Sequence, residues 1–121
     1  MNNTTSAEKL FDLSILEAMD DDEYTREMIS TYISDTPAEL KKMQAALNQS
    51  STTDLAKTAH KLKSSTAVFQ SDKLVALLEK IEALAKQGGE LINLKNVFED
   101  INKQYRILEA GLKIQIQAPG K

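Results

Sequence analysis

Residues 91–112 read LINLKNVFEDINKQYRILEAGL, and within them Leu91, Leu94, Phe98, Ile101, Tyr105, Leu108 and Leu112 follow at steps of 3, 4, 3, 4, 3 and 4. That period keeps the large apolar side chains on one stripe of an α-helix, whereas a strand would scatter them over both faces. Such a stripe is the seam along which the helices of a bundle pack. Just upstream, Gly88 and Gly89 are the expected stop of an earlier helix in which Leu74, Leu77, Leu78, Ile81 and Leu84 mark the apolar side. Ser71 and Asp72 read as the turn and cap that start it.

Before that turn, Leu55, Ala59, Leu62, Thr66 and Phe69 are spaced 4, 3, 4 and 3. This helix follows a polar breaker cluster, NQSSTT at 48–53, which offers Thr53 or Thr52 as its cap. Further upstream, Tyr24, Met28, Ile29, Tyr32 and Ile33 share a side, and Leu40, Met43 and Leu47 continue the pattern beyond Thr36-Pro37. Pro37 either opens a new helix with Thr36 as its cap or kinks a continuous one. The carboxylates of Asp20, Asp21, Asp22 and Glu23 suit the N-terminus of this helix, and they lack the spacing of a calcium loop. A short amphipathic segment at 10–19 precedes them.

With only 4 Gly and 2 Pro in 121 residues, the chain has too few turn residues for a β-rich domain. The expected fold is therefore all-α: an antiparallel up-down four-helix bundle with a short N-terminal helix, spanning 10–113. Residues 1–9 are expected to be a flexible N-terminus. At 114–117 the pattern becomes Ile-Gln-Ile-Gln and Pro119 and Gly120 follow, so 114–121 reads as a fraying helix end and tail. The aromatic residues Phe69, Phe98, Tyr24, Tyr32 and Tyr105 fall on apolar faces and read as core.

Composition removes many functions at once. The absence of Cys excludes disulfides, Cys-ligated zinc, iron–sulfur clusters and thiol catalysis, and a single His excludes a multi-histidine metal site within one chain. A balance of 15 basic to 18 acidic residues, net −3, argues against nucleic-acid binding by bulk electrostatics. No apolar run approaches a membrane span, and the polar start MNNTTS has no signal-peptide pattern, so a cytoplasmic protein is expected; Met1 and this start lean toward a free-standing chain, with an excised domain of a longer protein left open. Gly88-Gly89 lacks the surroundings of a phosphate-binding loop.

The one histidine, His60, lies at the border of the apolar stripe of its helix. Its neighbours one turn away are Ala56, Lys57, Lys63 and Ser64. Two are small, which leaves the imidazole open, and two are cations, which suit a group that will carry negative charge. A neutral imidazole is a good nucleophile near pH 7. Its phosphoryl adduct would present oxygens to ammonium groups: Lys63 is within reach, and Lys57 and Lys61 add a looser positive field. From spacing alone, the bland alternative stays open: a solvated surface His among solvated lysines.

The stretch around His60 resembles the histidine-containing phosphotransfer (HPt) domain, in which the His is followed by x-Leu-Lys-Gly-Ser/Ala, then a Gly turn and a Leu-rich helix. The matching residues are Ala59, His60, Leu62, Lys63, Ser65, Leu74, Leu77, Ile81 and Glu82, and Asp12-Leu13, Thr36-Pro37 and Leu40 resemble the family's first half. The resemblance covers about 12–112 and implies a four-helix bundle without kinase activity of its own. Its His accepts a phosphoryl group from a receiver-domain aspartate and passes it to another receiver. It further implies no cofactor in this chain, Mg2+ in the partner receiver, and response-regulator receivers and a hybrid sensor histidine kinase as partners of a monomer. The catalytic candidates are then His60 as phosphoryl acceptor and Lys63 for phosphoryl stabilisation, supported by Ser64, Glu82 and Lys57. Docking is expected through exposed apolar residues beside the His, with Val68 and Leu16 as candidates.

Two positions depart from the family pattern. Ser64 stands where Gly is usual, and its hydroxymethyl group either obstructs a partner or donates to a phosphoryl oxygen. Gln70 stands at the usual turn glycine, so either the turn needs no positive φ or it bears some strain. Glu82, where some relatives have an amide, either hydrogen-bonds the imidazole or pairs with Lys86 one turn on. The competing functions are a receiver-binding adaptor that transfers no phosphate and an unrelated helical interaction module.

Overall fold

The computed structural model describes residues 11–117. A single-turn helix, α1 (Ser14–Glu17), leads into α2 (Asp22–Asn48), α3 (Thr52–Ala67), α4 (Asp72–Lys86) and α5 (Leu91–Gln117). Sequence neighbours pack on one another and α5 closes against α2, which makes the four long helices a ring around one core. That core is built from the expected stripes: Ile29, Met43 and Leu47 of α2, Leu55, Ala59 and Leu62 of α3, Leu74, Leu78 and Ile81 of α4, and Leu94, Phe98, Ile101, Tyr105, Leu108 and Leu112 of α5 are all buried. Phe69 stacks at a tilt on Tyr32 with ring centroids 4.9 Å apart, and Tyr105 meets Tyr32 edge-on at 5.9 Å.

Several local expectations are settled or corrected. Pro37 lies inside one continuous helix. Its ring removes a single backbone bond to the carbonyl of Ile33, and buried residues on both sides, from Ile29 to Leu47, hold the two halves in line. Thr36 is thus no cap; its hydroxyl donates to the Tyr32 carbonyl at 2.6 Å. Asp21 caps α2, accepting the Tyr24 N–H at 2.9 Å. The cap of α3 is Ser51, which accepts the Asp54 N–H at 3.4 Å, so Thr52 and Thr53 are already helical. Tyr24 is 38 % exposed, because it sits in the first turn of α2, beyond the reach of the core.

The C-terminal expectation also changes. α5 stays helical to Gln117, past the boundary expected at 113, and Ile116 packs against the core. The Arg26 guanidinium donates to the Ile116 carbonyl at 2.7 Å, supplying one of the acceptor groups that a helix end leaves unpaired. Alternating Ile and Gln therefore continue a helix because α2 offers it a surface. The expected flexible residues 1–9 and the tail from 118 onward lie outside the described residues.

α2 and α5 are long, 27 residues each, against 16 and 15 for α3 and α4. At about 1.5 Å per residue they overrun the α3–α4 hairpin by roughly 15 Å. The segment before α2 fills the step this leaves: Leu13 and Leu16 are buried, and the Asp12 N–H donates to the Phe69 carbonyl at 2.8 Å. In that hairpin turn Gln70 has φ +52°, so the turn does demand the left-handed region and Gln bears the strain. Its side-chain amide donates to the Asp12 carbonyl at 3.2 Å, an attachment glycine could not make. Gln70→Ala, which keeps the strain and loses the bond, is expected to cost about 1 kcal/mol. Gln70→Gly, which loses both, should stay within about 0.5 kcal/mol of wild type. Urea unfolding of the three proteins checks this order, and an alanine variant as stable as wild type would remove the anchoring role.

Candidate functional site

α3 and α4 run antiparallel through the hairpin turn, and this brings residues 22 positions apart face to face. His60 on α3 meets Glu82 on α4: Nδ1 and the carboxylate Oε2 are 3.0 Å apart. Ile81 points into the core, and a step of about 100° around the helix turns Glu82 toward α3. Glu82 is buried, whereas the His60 side chain is 62 % exposed. An ionised carboxylate can only accept, so Nδ1 carries a proton, and in the neutral form of the ring the lone pair falls on Nε2. One edge of the ring is thus held, and most of the side chain is open to solvent.

Both expectations for Glu82 are met together. The same Oε2 that holds His60 also accepts Lys86 Nζ at 3.0 Å, and Oε1 lies 3.4 Å from Lys63 Nζ. Burial alone would raise the Glu82 pKa, but the Lys86 hydrogen bond and the charges of Lys63, Lys86 and, when its ring is protonated, His60 outweigh it and hold the carboxyl below the usual range. Glu82 is a permanent anion at neutral pH, as the tautomer argument requires.

The other candidates separate by environment. Lys63 is 25 % exposed and lies between Glu82 and Glu79, the latter 4.0 Å away. Lys61 is turned to the opposite side of α3, where Glu39 of α2 pairs with it at 3.0 Å, so it adds little to the field at His60. Lys57 is exposed and shares with His60 an open groove of about 570 Å³ between α3 and α4, whose walls include the small residues Ala56 and Ala85 and the cation Lys86. Ser64 is exposed one turn beyond His60, and its hydroxyl turns back to the His60 carbonyl at 3.4 Å. Val68 is half-buried and lines an apolar surface pocket of about 320 Å³ between α2 and α3, beside Ser65 and Lys61. Leu16 is 3 % exposed, packed in the core that supports the hairpin turn, so it is unsuited to docking.

Lys86 is the residue that sequence reasoning undervalued. It was visible only as a partner for Glu82 at i+4; that Glu82 itself faces His60 makes it part of the site. Among the described residues no group of three or more metal-ligating side chains comes together, and no helix is long and apolar enough to cross a membrane.

The family model of the Hpt domain matches residues 27–115, about three-quarters of the chain and all of the site just described. The chain belongs to the Hpt domain family. Hpt domains are phosphotransfer carriers of two-component phosphorelays, not kinases, and they interact with receiver domains and hybrid histidine kinases. The fold is similar to that of histidine-containing phosphotransfer protein B (HptB) from Pseudomonas aeruginosa, with a TM-score of 0.84 at 24% identity over 92% of this chain and 97% of that one. It is also similar to the HPT domain of an Hpt sensor hybrid histidine kinase from Shewanella, with a TM-score of 0.74 at 19% identity over 88% and 92% of the two chains. No curated protein matches the chain. The four-helix, strand-free architecture expected from the apolar spacing is the one these Hpt structures share.

Proposed function

We propose that His60 of this Hpt domain accepts a phosphoryl group from the aspartyl phosphate of a receiver domain and passes it to the aspartate of a second receiver. The observation that carries this reading is the 3.0 Å contact between Nδ1 and the buried Glu82 carboxylate, which keeps a proton on Nδ1, so that the neutral form of this exposed ring has its lone pair on Nε2. The Nε2 lone pair forms a bond to phosphorus as the phosphorus–oxygen bond to the donor aspartate breaks and that aspartate leaves as a carboxylate. Nδ1 keeps its proton throughout, so the phosphorylated ring is a cation, paired with Glu82. Return to an aspartate reverses every step.

Lys63 is the proposed stabiliser of the phosphoryl oxygens, with Ser64 and Lys57 at the rim. Mg2+ belongs to the receiver's acidic site in this scheme, where it offsets charge on the phosphoryl oxygens. The partners are response-regulator receivers and a hybrid sensor kinase, met by a monomer in the cytoplasm. Docking is weak and transient, through a small interface in which Val68 is a contact.

The test is incubation with phosphorylated receiver domains, followed by assay for acid-labile, alkali-stable phosphate on the Hpt chain. Transfer of label supports the carrier. Binding without label identifies a receiver-binding adaptor, and absence of both leaves a helical interaction module; either overturns the proposal. Lys63→Ala is expected to slow transfer roughly tenfold, the effect of losing one charge-assisted contact to the transferring group. Its circular dichroism and melting should be unchanged; an unaltered transfer rate removes Lys63 from the mechanism.

A further inference from the structure

Glu82 Oε2 holds two donors at the same distance, His60 Nδ1 and Lys86 Nζ, both at 3.0 Å. We infer that Lys86 is a movable counter-ion, stored on Glu82 while His60 is unphosphorylated and handed to the phosphoryl group once His60 carries it. The inference rests on the proposed transfer to His60 and specifies what the site does with the charge that arrives.

In its neutral, nucleophilic form the ring contributes one dipolar N–H to Oε2, while Lys86 contributes a full charge. Transfer changes both sides of this arrangement. With phosphorus on Nε2 and the proton kept on Nδ1, the ring becomes a cation and its hold on Oε2 strengthens to a charge-assisted bond. The phosphoryl group adds up to two negative charges in the groove that Lys86 lines. Lys86 then finds its old acceptor better satisfied and a more highly charged one alongside, at the same groove wall.

The two lysines on Glu82 are not equivalent in this respect. Lys63 is 25 % exposed and set between two carboxylates, whereas Lys86 is 65 % exposed and paired only with Glu82 among the described residues. Lys86 has a flexible four-carbon stem with open groove beside it, so exchanging partners needs rotamer changes and no backbone movement. Lys86 favours the phosphorylated state to the extent that the phosphoryl oxygens bind it better than Oε2 does.

The experiment is the equilibrium ratio of phospho-His60 to phosphoreceiver after mixing with a phosphorylated receiver, for wild type, Lys86→Gln, Lys86→Arg and Lys80→Gln. Lys80 is exposed on the same helix outside the site and controls for net charge. Lys86→Gln is expected to lower the phospho-His60 share about fivefold, the arginine variant to restore it, and Lys80→Gln to match wild type. Lys86→Gln is then repeated in the Glu82→Gln background. A phosphoryl contact predicts an effect at least as large there, since Lys86 no longer has a carboxylate to leave. If Lys86 serves only to pin Glu82, the second substitution has no effect, and that result overturns the inference. An unchanged ratio in the single variant overturns it as well. Absence of any phosphate on the wild-type chain is a different failure, that of the transfer reading itself.

Discussion

His60→Gln is expected to abolish acid-labile labelling from a phosphorylated receiver while leaving stability within about 0.5 kcal/mol of wild type. The loss should be complete, because the chain has one imidazole and no Cys, and no other side chain here offers a neutral nitrogen nucleophile at pH 7. The fold should be indifferent, because the ring is 62 % exposed and its removal opens no cavity. Glutamine is the informative replacement: its amide N–H can still donate to Glu82, so the charge network on α4 keeps a partner while the nucleophile is gone. Phosphate transfer and thermal unfolding, measured on the same preparation, separate the two effects. Residual acid-labile label would place the acceptor elsewhere and end the role of His60.

The parts of this protein that were legible in the sequence are those governed by local period. Along α5, six of the seven residues in the 3–4 stripe are buried, and only Leu91, in the first turn, is left 39 % exposed. The candidate nucleophile was legible because the chain has one imidazole and no Cys. Partnership across helices was not. Lys61 and Lys63 are two positions apart and looked alike, yet a rotation of about 200° sends one to Glu39 on α2 and the other to Glu82 on α4. Which of Glu79 and Glu82 faces His60 depends on the register of the hairpin, fixed by a turn in which Gln70 adopts φ +52° against its own preference. The helix end was misjudged for a related reason. Strict alternation at 114–117 carries no helical period, and the contact that holds it, Arg26 to Ile116, spans 90 positions.

Glu82→Leu is expected to slow phosphotransfer roughly 10- to 100-fold, the usual range for losing the group that orients a reactive imidazole. Without the carboxylate either ring nitrogen can carry the proton, the ring is free to rotate, and the phosphorylated ring lacks a counter-charge. Glu82→Gln should fall between leucine and wild type, since an amide oxygen can accept the Nδ1 proton without supplying charge. Stability should respond far less than rate. Of the three groups that Glu82 holds, the Lys86 ammonium and the His60 ring are mostly exposed and rehydrate when it is gone, and leucine suits a buried helical position, so the expected change is about 1 kcal/mol or less. The sign of its pH dependence is fixed by the lowered Glu82 pKa, with Lys63, Lys86 and His60 facing the carboxyl from α3 and α4. A carboxyl that is more acidic folded than unfolded contributes stability above its ordinary value of 4.5, and that contribution is lost as pH falls through the folded value. The leucine variant never has it, so the wild-type advantage measured by urea unfolding should shrink as pH is lowered from 7 to 3. A difference that stays constant through that interval would mean that Glu82 meets its cations equally well in the unfolded chain, and the same result would remove the electrostatic argument for a fixed Nδ1 proton.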